Sequence, residues 1–123
     1  MAAAKITSVL NDFHTNFISF LDELIELFPS DAEIIVVRLI LKDSVSPETI
    51  MTTFIKEVMP HKKAIEDRNE EFFFTTTLFD TFDKGKLNHL KLLWKSSVID
   101  DNDRQVIWKW FDTFIFLTEQ YQK

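Results

Sequence analysis

Glycine and cysteine are scarce in this sequence: the 123-residue chain contains one glycine and no cysteine. Tight β-hairpins use glycine for backbone conformations with positive φ, so a single glycine argues against a β-sandwich or barrel. It also argues against the glycine-rich loops that cradle phosphate groups. Without cysteine, the chain has no disulfide framework, no thiolate nucleophile and no thiolate metal ligand. The composition therefore favours helices joined by short connections.

Long apolar runs and a positive charge balance are also missing. Crossing a bilayer takes about 20 apolar residues, and no apolar run approaches that length. The amphipathic segment after Met1 lacks the pattern of a signal peptide. The net charge of −6 repels nucleic acid and anionic membranes. Hydrophobic residues make up 46% of the chain and charged residues 28%, as in globular proteins. We expect one helical domain over residues 1–123, able to fold without disulfides or metals.

Apolar residues recur every three or four positions over much of the chain, which predicts amphipathic helices. Pro29 and Pro60 end two of these segments, Ser46 before Pro47 is the predicted cap of the third, and acidic residues precede the last one. The predicted helices cover about residues 5–28, 34–41, 47–60, 86–97 and 101–121. We therefore predict an all-α fold, a single compact bundle of about five helices with an irregular, aromatic-rich connection at residues 61–85.

The segment at residues 34–41 has two interpretations, because its β-branched sequence is also typical of a buried strand. Ser30 and Glu33 form a capping-box pattern, which marks the start of a helix. No other segment offers a strand partner. Both observations favour a helix that is buried on most sides.

Thirteen phenylalanines are the main excess in the composition, and three of them are consecutive at residues 72–74. In a helix their rings point about 100° apart, and in a strand they alternate between two faces. At least one ring therefore needs a second surface. We expect Phe72 and Phe73 to anchor the connection in the core, while Phe74 and Phe79 close over it or meet a partner.

The main apolar face of the last predicted helix is expected to be buried: Val106, Ile107, Trp110, Phe111, Phe114, Leu117 and Tyr121. Trp108 and Phe116 fall away from that face, so the helix has apolar residues nearly all round. Such a helix is either central to the core or partly covered by a partner. Large exposed aromatic patches usually mark interaction surfaces. The candidate protein-interaction residues are Phe74, Phe79, Trp108 and Phe116.

No pattern in the sequence indicates catalysis, a metal site or a cofactor site. The three histidines lie in separate segments, without the spacing of a helical metal site. Residues 100–103 resemble the start of a calcium loop, but Val106 occupies the position of the required glycine. We therefore expect no catalytic residue, no cofactor and no metal, and a protein that is not an enzyme.

Three lysines share one predicted helical face: Lys84, Lys91 and Lys95. Such a stripe is a candidate anion-binding surface, and nucleic-acid proteins use similar stripes on phosphates. A solvated helix face and a surface for an acidic partner have the same pattern. The negative net charge disfavours nucleic acid as the partner.

Several short motifs, in their order along the chain, resemble a family of small all-helical proteins encoded by large nucleocytoplasmic DNA viruses. They are Phe20-Leu21-Asp22-Glu23-Leu24 with Leu27-Phe28-Pro29, Arg68-Asn69-Glu70-Glu71-Phe72-Phe73-Phe74, Leu90-Lys91-Leu92-Leu93-Trp94-Lys95, and Ile107-Trp108-Lys109-Trp110-Phe111 with Leu117-Thr118-Glu119. The resemblance covers most of the chain. It implies a viral origin, with the virion or the host cytoplasm as the site of action, and it supplies no catalytic residues.

Three functions remain open on these observations. We favour a non-enzymatic structural or protein-interaction component of a large DNA virus, such as a minor capsid or virion-associated protein. Its partner would be a second copy or another viral protein. The first alternative is an intracellular regulatory module that binds a host or viral protein. The second and less favoured alternative is a nucleic-acid-binding protein that uses the lysine stripe.

Overall fold

The structure, a computed structural model, describes residues 2–76 and 89–123. These residues form helices and short turns without any strand, which confirms the all-α prediction and assigns residues 34–41 to a helix. The elements are α1 (Ala2–Leu27), α2 (Ala32–Asp43), α3 (Pro47–Glu57), a 3₁₀ turn (Met59–His61), α4 (Lys62–Glu66), α5 (Glu71–Thr75), α6 (His89–Lys95) and α7 (Asp101–Gln122). The described part of the predicted irregular connection therefore contains two short helices, α4 and α5.

Side-chain caps begin three of the helices. At α2 the cap is Asp31 and not Ser30: the Asp31 carboxylate accepts hydrogen bonds from the backbone N–H of Glu33 at 3.0 Å and of Ile34 at 3.3 Å. The predicted cap, Ser30, was one residue early, because the aspartate itself reaches the free N–H groups of the first turn. Ser46 caps α3 as predicted, and Asp100 caps α7.

Helix α1 is the centre of the arrangement, because it packs against α2, α3 and α7. The contacts are made largely by phenylalanine rings with no exposed surface: Phe13, Phe17 and Phe20 of α1, Phe54 of α3, and Phe111 and Phe114 of α7. The rings of Phe17 and Phe114 stack with centroids 5.0 Å apart. The rings of Phe13 and Phe54 meet edge to face at 5.2 Å. Such aromatic pairs stabilise a core beyond the area that they bury.

Helix α7 buries a broader face than its sequence pattern indicated. Ile107, Phe111 and Phe114 are buried as predicted, whereas Val106, also predicted to be buried, is exposed. Trp108 and Ile115 are buried instead. The side of α7 that carries Trp108 is covered by α5 and α6, whose rings reach it from Phe73 at 4.7 Å and Trp94 at 5.2 Å.

Two phenylalanines of α7 provide a matched test of this core. Phe114→Ala should lower the free energy of unfolding by about 3–5 kcal/mol, because it removes a fully buried ring from a packed cluster. Phe116→Ala should change it by only about 0.5 kcal/mol or less, because that ring is 59% exposed. Urea denaturation followed by circular dichroism measures both. Equal losses for the two variants would contradict the packing of α7 described above.

The cap of α7 should make stability depend on pH in the acidic range. The pKa of Asp100 lies below its ordinary value of 3.8, chiefly because its carboxylate accepts a hydrogen bond from the backbone N–H of Asp103. A carboxyl with a lowered pKa in the folded state stabilises above its unfolded pKa. That contribution is lost as the pH falls through the folded value.

Asp100→Asn keeps a hydrogen-bond acceptor at the cap but removes the charge. We expect the melting temperature of the variant to be lower than that of the wild type at about pH 6, with the difference shrinking toward about pH 2. Thermal melts across this range measure the difference. A difference that stays constant at every pH would show that the charge of Asp100 does not contribute.

Candidate functional site

The phenylalanine run at residues 72–74 lies on α5, and two of its three rings anchor that helix as predicted. Phe72 and Phe73 are buried. Phe72 meets the ring of Phe111 at 5.3 Å, and Phe73 stacks on Trp94 with ring centroids 4.0 Å apart. The two rings therefore connect α5 to α7 on one side and to α6 on the other.

Phe74 is half-buried and covered in part by a cation. The ammonium of Lys95 lies 4.8 Å from the centre of its ring, a cation–π distance. Beside it, the indole N–H of Trp94 donates a hydrogen bond to the Glu70 carboxylate at 2.8 Å. Two predicted site residues, Phe74 and Lys95, thus contact each other, and Lys95 is exposed. Lys91 is partly buried, and Phe79 and Lys84 lie outside the described residues.

Trp108 was predicted to be an exposed protein-interaction residue, and this prediction is wrong. Its side chain is 3% exposed, whereas Phe116 is 59% exposed. The guanidinium of Arg68 also lies over the Trp108 ring, 5.5 Å from its centre. Helical periodicity places Trp108 correctly, but it could not show that α5 and α6 cover a second face of α7. Among the described candidates, Phe116 is the aromatic residue that remains open.

Arg68 positions α5 through an unusual backbone conformation. Its φ of 56° is left-handed, and the hydrogen bonds from Arg68 N to Ile65 O and from Asn69 N to Ala64 O close the end of α4. This is the Schellman pattern, which normally has glycine at the left-handed residue. Here the arginine forms a two-bonded ion pair with Asp112 of α7, at 2.8 and 2.6 Å. The ion pair also raises the pKa of Arg68, chiefly through the hydrogen bond with Asp112.

Helix α2 carries three exposed large apolar side chains, more than any other helix in the described part of the chain. Ile34, Val37 and Leu41 are buried against the rest of the protein. The opposite side carries Ala32, Ile35, Val36 and Leu39, all exposed and spaced as one helical stripe. The exposed fractions are 40% for Ile35, 43% for Val36 and 52% for Leu39. We call this stripe the α2 outer face.

Two contacts hold α2 on α1 and so fix the direction of the outer face. The ring nitrogen Nε2 of His14 lies 3.0 Å from the carbonyl oxygen of Leu41. Arg38 forms an ion pair with Asp22 at 2.5 Å. The pairing places the Arg38 guanidinium at the side of α2, outside the stripe.

The α2 outer face was not predicted, because residues 34–41 were expected to be buried on most sides. A signal was present: residues 34, 37 and 41 form one helical stripe, and residues 32, 35, 36 and 39 form another on the opposite side. Periodicity cannot say how many neighbours a helix has. The structure places α1 against one stripe and leaves the other exposed.

Within residues 2–76 and 89–123, no three His, Asp or Glu side chains are grouped as metal ligands. None of the helices in the described part of the chain combines the length and apolar content needed to cross a membrane.

Substitutions at Arg68 separate its backbone strain from its ion pair. Arg68→Ala and Arg68→Gly both remove the contact with Asp112, but only glycine adopts positive φ without a steric penalty. We expect the glycine variant to be more stable than the alanine variant by about 1 kcal/mol. Urea denaturation of both variants measures the difference. An alanine variant as stable as the glycine variant would mean that residue 68 is not held at positive φ.

No protein-family model matches the sequence, and no curated protein or solved structure shows significant similarity to it. The resemblance to the helical family of large DNA viruses therefore depends on the short motifs alone.

Proposed function

We propose that the protein is a non-enzymatic assembly component that associates with further copies of itself through the α2 outer face. The observation that supports this proposal is the exposed stripe of Ile35, Val36 and Leu39 on α2. Scattered exposed apolar residues are common on soluble proteins, but a continuous apolar stripe opposite a buried one usually marks a contact surface. Covering these side chains removes apolar area from water, which favours association.

A second copy is the partner that this stripe fits best. The stripe carries no charged side chain between Ala32 and Leu39, and an uncharged apolar surface is complementary to itself. Symmetric dimers bring the same surface of both copies together. In an antiparallel pair of α2 helices, Ile35 and Val36 of one copy lie beside Leu39 of the other. The positive end of each helix dipole then lies beside the negative end of its partner.

The size of the surface predicts weak pairwise association. Helix α2 has 12 residues and is therefore about 18 Å long. A stable dimer buries about 800 Å² per partner, and one pair of α2 helices buries less than that. A contact of this strength suits a protein that is held in an array, where several weak contacts act together.

The charge of the chain predicts how salt affects this contact. Two copies with a net charge of −6 repel each other, and dissolved salt screens that repulsion. Association through an uncharged stripe should therefore strengthen as salt is added. Binding to a basic partner would weaken instead.

The viral part of the proposal comes from the resemblance alone. A weak, self-complementary contact is compatible with a minor capsid or virion-associated protein of a large DNA virus, acting in the virion or in the host cytoplasm. The net charge of −6 disfavours the nucleic-acid alternative, because it repels phosphate groups. Mass spectrometry of purified particles tests the location, and absence of the chain from them would remove the virion proposal.

Two leucine substitutions with the same charge change test the α2 outer face. Leu39→Glu places a carboxylate in the proposed contact of both copies. Association should weaken by about a hundredfold or more, because like charges brought together in a contact cost several kcal/mol. Leu92→Glu makes the same change at a leucine of α6 that is 62% exposed, away from the stripe. It should associate as the wild type does. Sedimentation equilibrium from about 10 µM to about 1 mM, at low and high salt, measures both.

Circular dichroism should show the same helix content for the two variants, because both residues are exposed. A wild type that is monomeric throughout the concentration range would end the proposal of self-association. If Leu39→Glu and Leu92→Glu change self-association equally, the contact does not lie on the α2 outer face.

A further inference from the structure

A cleft of about 380 Å³ lies between the C-terminal part of α1 and the start of α7. Its apolar floor is formed by Phe20 and Leu24 of α1 and by Ile107 of α7, all of which are buried. Leu27 and Val106 continue the apolar lining toward the rim. The volume is at the lower end of the range for ligand pockets, about 300–1,000 Å³, and suits one or two inserted side chains.

The rim of the cleft has one sign of charge. Of the described residues that line it, Glu23, Glu26 and Asp103 carry carboxylates and none carries a cation. Glu23 accepts a hydrogen bond from the indole N–H of Trp110, which holds it at the edge. Asp103 is held by its bond with the backbone N–H of Asp100 at 3.1 Å. Two of the three carboxylates are therefore held in position beside the apolar floor, and Glu26 adds a third negative charge.

The cleft continues along the two helices into a second, shallower depression. Glu23 and Val106 line both hollows, and the second also includes Lys109, Trp110 and Thr113. Together they form a groove with acidic residues at one end and a lysine at the other. We call it the α1–α7 groove.

We propose that the α1–α7 groove docks a basic amphipathic segment of another protein. An apolar side chain of that segment enters the cleft over Phe20 and Ile107, and flanking Lys or Arg residues lie beside Glu26 and Asp103. Amphipathic helices bind other proteins in this way, with apolar anchors in a groove and charges at its edges. The elongated groove and the spread of its carboxylates over two helices fit a peptide better than a compact organic cation.

The position of Lys109 also gives the bound segment a direction. Its basic residues should lie toward the Glu26 end, and neutral or acidic residues should lie toward Lys109. This site is separate from the α2 outer face and does not depend on self-association. The two surfaces also respond oppositely to salt, because screening weakens attraction between the acidic rim and a basic segment.

Selection from a displayed library of random peptides, about 12 residues long, tests the proposal, since such a helix spans about 18 Å. The wild-type protein should enrich sequences in which Lys or Arg flanks Leu, Met or Phe. Labelled copies of the enriched peptides are then titrated with the protein, and fluorescence anisotropy gives the dissociation constant. Replacement of the basic residues by Glu, or of the apolar anchor by Ala, should each abolish measurable binding.

Variants of the protein test the position of the site. Glu26→Lys reverses a rim charge and should weaken peptide binding about fivefold or more. Since Glu26 is exposed in the last turn of α1, where a cation favours the helix, the variant should fold normally. Val106→Gln reduces the apolar lining and should also weaken binding.

Asp12→Lys is the matched control, because it makes the same charge change on an exposed position of α1. It lies about 16 Å along the helix from Glu23. It should change the dissociation constant by about twofold or less, since distant exposed charges are screened.

The proposal is overturned by any of four results. The first is enrichment of no peptides, or of peptides without basic residues. The second is equal weakening by Glu26→Lys and Asp12→Lys, which would indicate attraction to the overall charge. The third is binding of phenethylammonium as tightly as the best peptide, which would assign the cleft to small organic cations. The fourth is loss of self-association in Glu26→Lys but not in Leu39→Glu, which would make the groove a contact between copies.

Discussion

The packing of phenylalanine rings between α1, α3 and α7 is the interaction on which the other features depend. Six fully buried rings meet there, and each contacts at least one ring from another helix: Phe13, Phe17, Phe20, Phe54, Phe111 and Phe114. Because ring pairs have preferred distances and angles, this cluster constrains how the three helices cross. It thereby sets the walls of the α1–α7 groove. It also leaves α2 to contact α1 with one side only, so that its outer face stays exposed.

A second aromatic group attaches the short helices to this framework. Phe73 contacts both Trp94 of α6 and Trp108 of α7, while Arg68 holds the preceding turn to Asp112. The left-handed backbone at Arg68 has an energetic cost, which the ion pair and the contact with Trp108 offset. The aromatic excess of the composition is thus used largely inside the described part of the protein. Among the described residues, the exposed apolar side chains are mainly aliphatic, with Phe116 as the large aromatic exception.

The two proposed contact surfaces differ in charge, so we expect them to bind different partners. The α2 outer face is uncharged, which suits a contact between identical and mutually repelling copies. The α1–α7 groove combines an apolar floor with carboxylates, which suits a partner of opposite charge. The α2 outer face lies on α2, and the groove lies on α1 and α7. Helix α1 packs against both α2 and α7. An assembly component with these properties could join copies of itself through one surface and hold a basic protein through the other.

The sequence by itself determined the helical class, because one glycine and a helical spacing of apolar residues leave few other folds. It also identified the start of α3 at Ser46 and the anchoring of Phe72 and Phe73, since these depend on local chemistry and on the number of rings at one place. Only the tertiary structure decided that Trp108 is buried, that Val106 and the α2 outer face are exposed, and that Phe74 lies under Lys95. The physical reason is that periodicity gives the direction of a side chain from its own helix axis. Whether that direction meets another helix or water depends on contacts between residues far apart in the chain.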